Sequence, residues 1–138
     1  MPGAPVAAVM RVPLFAELSR PEAEEVARLF KKRRFAAGET VAREGSGGAA
    51  FYLIDSGEAV VSVGGKERRT LGPGDYFGEI ALIDEGARSA TITAATELDC
   101  HGLTYWDFRP LVQGSAEISW KLLQAVVKTL RDEQAAQG

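Results

Sequence analysis

Glu79 and Arg88 stand nine positions apart in the stretch FGEIALIDEGARSATITA, residues 77 to 94, with Gly78 ahead of the carboxylate and Ser89 and Ala90 behind the guanidinium. A planar guanidinium fork can meet two oxygens of one anion, and a serine hydroxyl and the N–H of a small residue add further donors. The carboxylate of Glu79 accepts rather than donates, so it suits a hydroxyl-bearing group. Gly78 has no Cβ and lets backbone come close to whatever is held. Together these types fit a small anion that also carries sugar hydroxyls. Taken one at a time they have plainer readings: a Glu79–Arg88 ion pair on a loop, a strand serine satisfied by backbone, a turn glycine. Specificity lies in the conjunction.

Such a group needs a frame that brings both ends of the stretch together. Between residues 38 and 103 glycines recur between short β-rich runs, among them FYLI (51–54), AVVSV (59–63) and ATITA (90–94), the pattern of a sandwich or barrel. Gly64 and Gly65 mark a tight hairpin, and LGPGDYFGE (71–79) supplies two more turns. EIALI is too short for an independent helix and suits a turn or two of helix inside a loop, aiming N–H groups of Ile80 and Ala81 at the anion.

Helices flank this region. Ser19 and Glu22 have the spacing of a capping box, Pro21 suits a first turn, and Val26, Leu29 and Phe30 share one face. That helix is expected to end near Phe35, with the run KKRR (31–34) complementing its C-terminal dipole. Residues 1–10 are expected to be a flexible N-terminal tail, and residues 11–138 the domain. TYWDF (104–108) makes a short helix, and a longer one runs from about Ser115 to about Gln134. Its apolar stripes, Ile118, Leu122 and Val126 beside Trp120, Leu123, Val127 and Leu130, are wider than one buried face requires.

Composition narrows the function classes. The 138 residues carry 16 Lys and Arg against 19 Asp and Glu, a formal net charge of −3, so no global positive field draws the chain to nucleic acid or anionic membrane. Cys100 is the single cysteine and His101 the single histidine, which excludes an internal disulfide and gives no metal site; both are expected to lie in a strand. No apolar run approaches the roughly 18 residues of a membrane span, and MPGAPVAAVM lacks the features of a secretory signal, so a cytoplasmic protein is expected. No serine, histidine and acid arrangement is readable. The expectation is a non-enzyme without a catalytic cofactor.

The stretch 77–94 closely resembles the phosphate-binding cassette of cyclic nucleotide-binding domains, in which Phe-Gly-Glu and a short apolar run precede Arg, a small residue, Ala and Thr. Gly78, Glu79, Arg88, Ser89, Ala90 and Thr91 match it. GSGGAAFYLIDSG (45–57) is similar to a second signature of the family, with Gly45, Gly48 and Gly57 in place, and VPLFAELS (12–19) resembles its opening helix. The resemblance implies a mainly β fold with flanking α-helices: a double-stranded β-helix, or jelly-roll-like β-roll, with N-terminal helices and a C-terminal helical lid that shifts over the nucleotide. It implies cAMP as ligand, with cGMP the other candidate, because Ser89 matches the bacterial catabolite activators. By the same resemblance Val61 lines the base pocket, and Leu130, Arg131, Glu133 and Gln134 approach the base. The module is expected to signal through its C-terminal helix to an effector protein or a second copy of itself. The sequence stops at Gly138 without a helix-turn-helix, so direct nucleic-acid binding is not expected; the alternative is a truncated sensory domain of a catabolite-activator-type transcription regulator.

Overall fold

A computed structural model describes residues 3–46, 50–84 and 88–137, with Ile80 described by its backbone alone. Eight strands form two antiparallel four-stranded sheets, ordered β1-β8-β3-β6 and β2-β7-β4-β5. The strands are β1 (Lys31–Phe35), β2 (Thr40–Ala42), β3 (Ala50–Ser56), β4 (Ala59–Val63), β5 (Lys66–Leu71), β6 (Tyr76–Phe77), β7 (Thr91–Ala94) and β8 (Leu98–Thr104). Helices α1 (Val6–Met10), α2 (Arg20–Arg28), α3 (Tyr105–Gln113) and α4 (Ala116–Gln137) flank them, and two short 3-10 helices occupy Pro13–Phe15 and Glu79–Leu82. This is the expected β-roll with flanking helices.

The continuous apolar run of β3 is explained by burial on both faces. Phe51 and Leu53 face the helices, packing with Phe15, Phe30, Leu103, Phe108, Ile118 and Leu122. Tyr52 and Ile54 face the space between the sheets, among Phe35, Val61, Leu71, Phe77, Ile92, Leu98 and Cys100. Phe51 meets Phe15 and Phe30 edge-on at centroid distances of 6.1 and 5.9 Å, a geometry favoured by the ring quadrupoles. Cys100 and His101 both lie in β8, as expected. Burial, reinforced by the negative charges of Asp99 and Asp55, pushes the Cys100 thiol up to about 12, so it stays protonated and packs as a small apolar group.

Helix ends follow the sequence at the start of α2. Ser19 N–H donates to Glu22 Oε1 at 2.8 Å and Glu22 N–H donates to Ser19 Oγ at 3.3 Å, the reciprocal pair of a capping box. Thr104 caps α3 by accepting from Asp107 N–H, and the Ser115 hydroxyl accepts from Ile118 N–H at the head of α4. Gly45 and Gly57 adopt φ of +81° and +91°, as turn glycines do; Gly48 lies outside the described residues.

Three expectations are corrected. α2 ends at Arg28, and Lys31–Phe35 is not its last turn but β1, paired with β8 from Lys31↔Gly102 to Phe35↔Leu98. Phe30, wholly buried, turns the chain into the core, and the ladder to β8 then outweighs the helix propensity of four cations. Those cations blunt a sheet edge and reach acids across it, Lys31 to Asp107 at 3.7 Å and Arg34 to Asp99 at 2.8 Å. Residues 6–10 are not a loose tail: they form α1, with Val9 fully buried, and Ala4 N–H donates to Ala27 O at 2.9 Å. The segment 12–19, likened to an opening helix, carries only the 3-10 turn Pro13–Phe15 before Ser19 caps α2.

Candidate functional site: a cavity between the sheets

A cavity of about 550 Å³ opens between the two sheets, and Gly78, Glu79, Ala81, Arg88, Ser89, Ala90 and Val61 all border it. The sequence-predicted cluster is therefore brought together, apart from Ile80, whose backbone sits in the 3-10 turn between Glu79 and Ala81. Leu130, Arg131, Glu133 and Gln134 are not brought there. They are exposed on the distal part of α4, which packs against the Pro13–Phe15 turn and α3 and contributes no residue to the cavity wall.

Among the described residues, Arg88 is held by backbone. Its Nη2 donates to Ala50 O at 2.6 Å, its own N–H donates to Ser46 O at 2.9 Å, and its carbonyl accepts from Gly45 N–H at 2.9 Å. Nε is buried without a hydrogen-bond partner among the described residues. A half-buried guanidinium with a donor unmet among the described residues is a costly arrangement unless an anion completes it. Burial pulls its pKa below the ordinary arginine value, partly offset by Tyr52. The ion-pair alternative does not hold: Glu79 and Arg88 border one cavity without an ion pair, and among the described residues the Glu79 carboxylate makes no hydrogen bond.

Gly78 makes this geometry available. Its φ is +87°, and a Cβ there would lie 2.6 Å from Arg88 Nη1 and 2.6 Å from Ala50 O. A side chain at 78 would expel the guanidinium. Ala81 N–H, expected to face the anion, donates to Gly78 O at 3.0 Å and closes the 3-10 turn, so an anion reaches it only as a shared, three-centre partner. A four-residue turn also carries little of the macrodipole of a long helix.

Sequence reasoning missed Ala42, Arg69, Leu71, Tyr76 and Ile92, which also border the cavity. Ile92 and Ala42 follow once Val61 is placed, since Val61 pairs Ile92 across β4 and β7, and Ile92 pairs Ala42 across β7 and β2. Tyr76 has its pKa raised, by burial first and then by the charge of Glu79, with Arg69 opposing.

A two-sheet β-roll with a backbone-anchored arginine in its inter-sheet cavity has the chemistry to take a small anion. A family model of the cyclic nucleotide-binding domain matches residues 32–115, and the chain belongs to that family. Among relatives, it is 39% identical over 102 residues to a cGMP-dependent protein kinase of Eimeria tenella, covering 73% of this chain and 10% of the kinase. It is 32% identical over 125 residues to the cyclic AMP receptor protein of Thermus thermophilus, covering 87% of this chain and 58% of that protein. The crystal structure of the N-terminal domain of a transcriptional regulator from Streptomyces coelicolor superposes with a TM-score of 0.83 at 29% identity, over 95% of each chain. The chain thus spans from a tenth to just over half of these two curated relatives' length. Among the described residues no helix is long and apolar enough to cross a membrane.

Proposed function

We propose that this chain, with residues 11–138 as its ligand-binding unit, is a non-catalytic regulatory module that binds a cyclic nucleotide and passes the bound state on through α4. The observation that carries this reading is the pairing of a backbone-held Arg88 with an unengaged Glu79 in one cavity. The guanidinium, with the Ser89 hydroxyl and the Ala90 N–H, meets the cyclic phosphate; the Glu79 carboxylate accepts from the ribose 2′-hydroxyl; and Val61 lies under the base. By resemblance Ser89 leans to cAMP, with cGMP the other candidate. Ser89 serves the phosphate, however, so the choice of base rests on the other end of the cavity.

Calorimetric titration with cAMP and cGMP, repeated on Arg88→Ala, tests the reading. Hydrogen bonds to a charged group contribute about 1.5–3 kcal/mol, so losing Arg88 weakens binding by roughly ten- to several-hundredfold. Neither nucleotide binding more tightly than about 1 mM would reject it.

For onward signalling, Trp120, Leu123 and Leu130 are 61, 57 and 52% exposed, and with Val127 they repeat at spacings of three and four. Such a seam suits a second copy of the chain or an effector helix. The likeness to a regulator's N-terminal domain favours a second, compatible setting, the sensory part of a transcription regulator. In either setting this domain does not itself read DNA; no gel shift with random or operator DNA is expected.

A further inference from the structure

We infer that the groove formed by α3, α4 and the chain at Leu82 and Ile83 is a second ligand site, which takes an amphipathic monocarboxylate: an unbranched apolar tail lies along the groove and the carboxylate meets Arg109.

The groove has a volume of about 450 Å³, within the range of small-molecule sites, and shares no lining residue with the inter-sheet cavity. Its walls follow from helix periodicity. α3 contributes Tyr105, Phe108, Arg109 and Val112, and α4 contributes Ser119, Leu122, Leu123 and Val126, each set spaced i, i+3, i+4 and i+7 and hence one face of its helix. Such a span of helix is about 10 Å long. The Ser119 hydroxyl donates to Val112 O at 2.7 Å and closes the end nearest the α3–α4 joint. Phe108 and Leu122 are buried and make the floor, whereas Ile83 and Leu123 are 56 and 57% exposed and make the sides. Apolar sides left in water around a formed floor are what a tail would cover.

The head group follows from charge. Arg109 is the one charged residue among the described residues that line the groove. Its guanidinium stands over the Tyr105 ring, 5.7 Å from the centroid, and among the described residues it has no hydrogen bond or ion pair. One unpaired cation balances the single charge of a carboxylate, whose two oxygens suit a guanidinium fork; a phosphate monoester would bring close to two charges. An apolar helix face from a second copy would cover Ile83 and Leu123 and leave Arg109 unanswered. Its natural place is the seam of Trp120 and Val127, which do not line the groove.

The groove also touches the element that serves the first site. Leu82 ends the turn whose Glu79 and Ala81 border the inter-sheet cavity, and Ile83 follows it. A tail packed against Leu82 and Ile83 biases the position of that turn, so carboxylate and nucleotide change each other's affinity by the same factor. This last step rests on the cyclic-nucleotide reading above; the carboxylate site does not.

The test is titration of the full chain with dodecanoate, octanoate, 1-dodecanol and dodecyl phosphate, each below its micelle concentration and followed by amide chemical shifts. It is repeated on Arg109→Gln, Ile83→Asp and Trp120→Ala, with melting temperatures to check folding. Dodecanoate should saturate one site with a Kd below about 1 mM and shift amides of residues 82–83, 105–112 and 119–126. It should bind about five- to tenfold more tightly than 1-dodecanol, a gap that Arg109→Gln closes, and roughly tenfold or more tightly than octanoate. Ile83→Asp should weaken it and Trp120→Ala should not. Saturating dodecanoate should move the Kd for cAMP by the factor by which cAMP moves the Kd for dodecanoate. Dodecanol or dodecyl phosphate binding as tightly as dodecanoate, undiminished affinity in Arg109→Gln, shifts confined to the α4 seam, or a dimer that excludes dodecanoate would each overturn the site. If both ligands bind and neither alters the other's affinity, the link between the sites is overturned. If dodecanoate binds and no cyclic nucleotide does, the functional reading fails and the carboxylate site stands.

Discussion

A Cβ built on Gly78 would stand 2.6 Å from Nη1 of Arg88, on the side of the guanidinium next to the Ala50 carbonyl that anchors it. One missing methyl group thus fixes where the cation of the site can sit.

Gly78→Ala should therefore do two separable kinds of damage. The left-handed φ of +87° alone costs an alanine roughly 1–2 kcal/mol, read as a lowered denaturation midpoint. Displacement of Arg88 adds a loss of nucleotide affinity approaching that of Arg88→Ala, read by titration at a temperature where the variant is still folded. A variant that is destabilised yet binds normally would show that the guanidinium does not need this glycine.

The link between α4 and α2 should be visible in the acid limb of stability. Lys121 Nζ lies 2.7 Å from Glu22 Oε1 and 3.7 Å from Glu117 Oε1. The lysine, and then the Ser19 N–H, hold Glu22 below the usual carboxylate range, while Glu22 holds Lys121 above the usual lysine value. A lowered carboxylate contributes fully above its unfolded value, about pH 4.3, and the contribution disappears as pH falls through the lower folded value. A raised lysine loses its contribution only as pH climbs through its folded value on the alkaline side. Melting curves of the parent and of Lys121→Met should differ by a constant amount from about pH 5 to 9 and converge in acid. A gap that persists to pH 2 would assign the difference to packing of the lysine stem instead.

The exposed seam of α4 predicts self-association or capture of a helical partner. If two copies pair there, sedimentation should report a dimer that Leu123→Asp and Leu130→Asp convert to monomer with no loss of the β-rich circular dichroism signal. A parent chain that is monomeric at hundreds of micromolar would leave an effector helix as the occupant of the seam.

How far the residues foretold this arrangement depended on whether an element had one dry face. Strands β3 and β4, the Gly64–Gly65 hairpin and the cap Ser19 are legible because burial, turn geometry and orphan N–H groups leave local marks. β1 reads as helix because Lys31–Arg34 are all exposed at the sheet edge, so no alternation betrays the strand. α1 reads as tail because its five residues are held by contacts with α2 that only the folded chain supplies. The cassette is legible because its chemistry is contiguous. Arg69 is not, since the bulge at Arg68 decides which of two adjacent arginines borders the cavity, and a bulge leaves no mark in a run such as KERRTL.

Ala125 is the last buried residue of α4, yet the helix continues to Gln137, an arm of about 18 Å that buries none of its described residues. Helices of that length are marginal in water unless something shields their apolar side. Amide protons from about residue 126 onward should accordingly exchange with solvent far sooner than those of the first two turns, and their slowing would register, residue by residue, the arrival of whatever the arm is built to grasp.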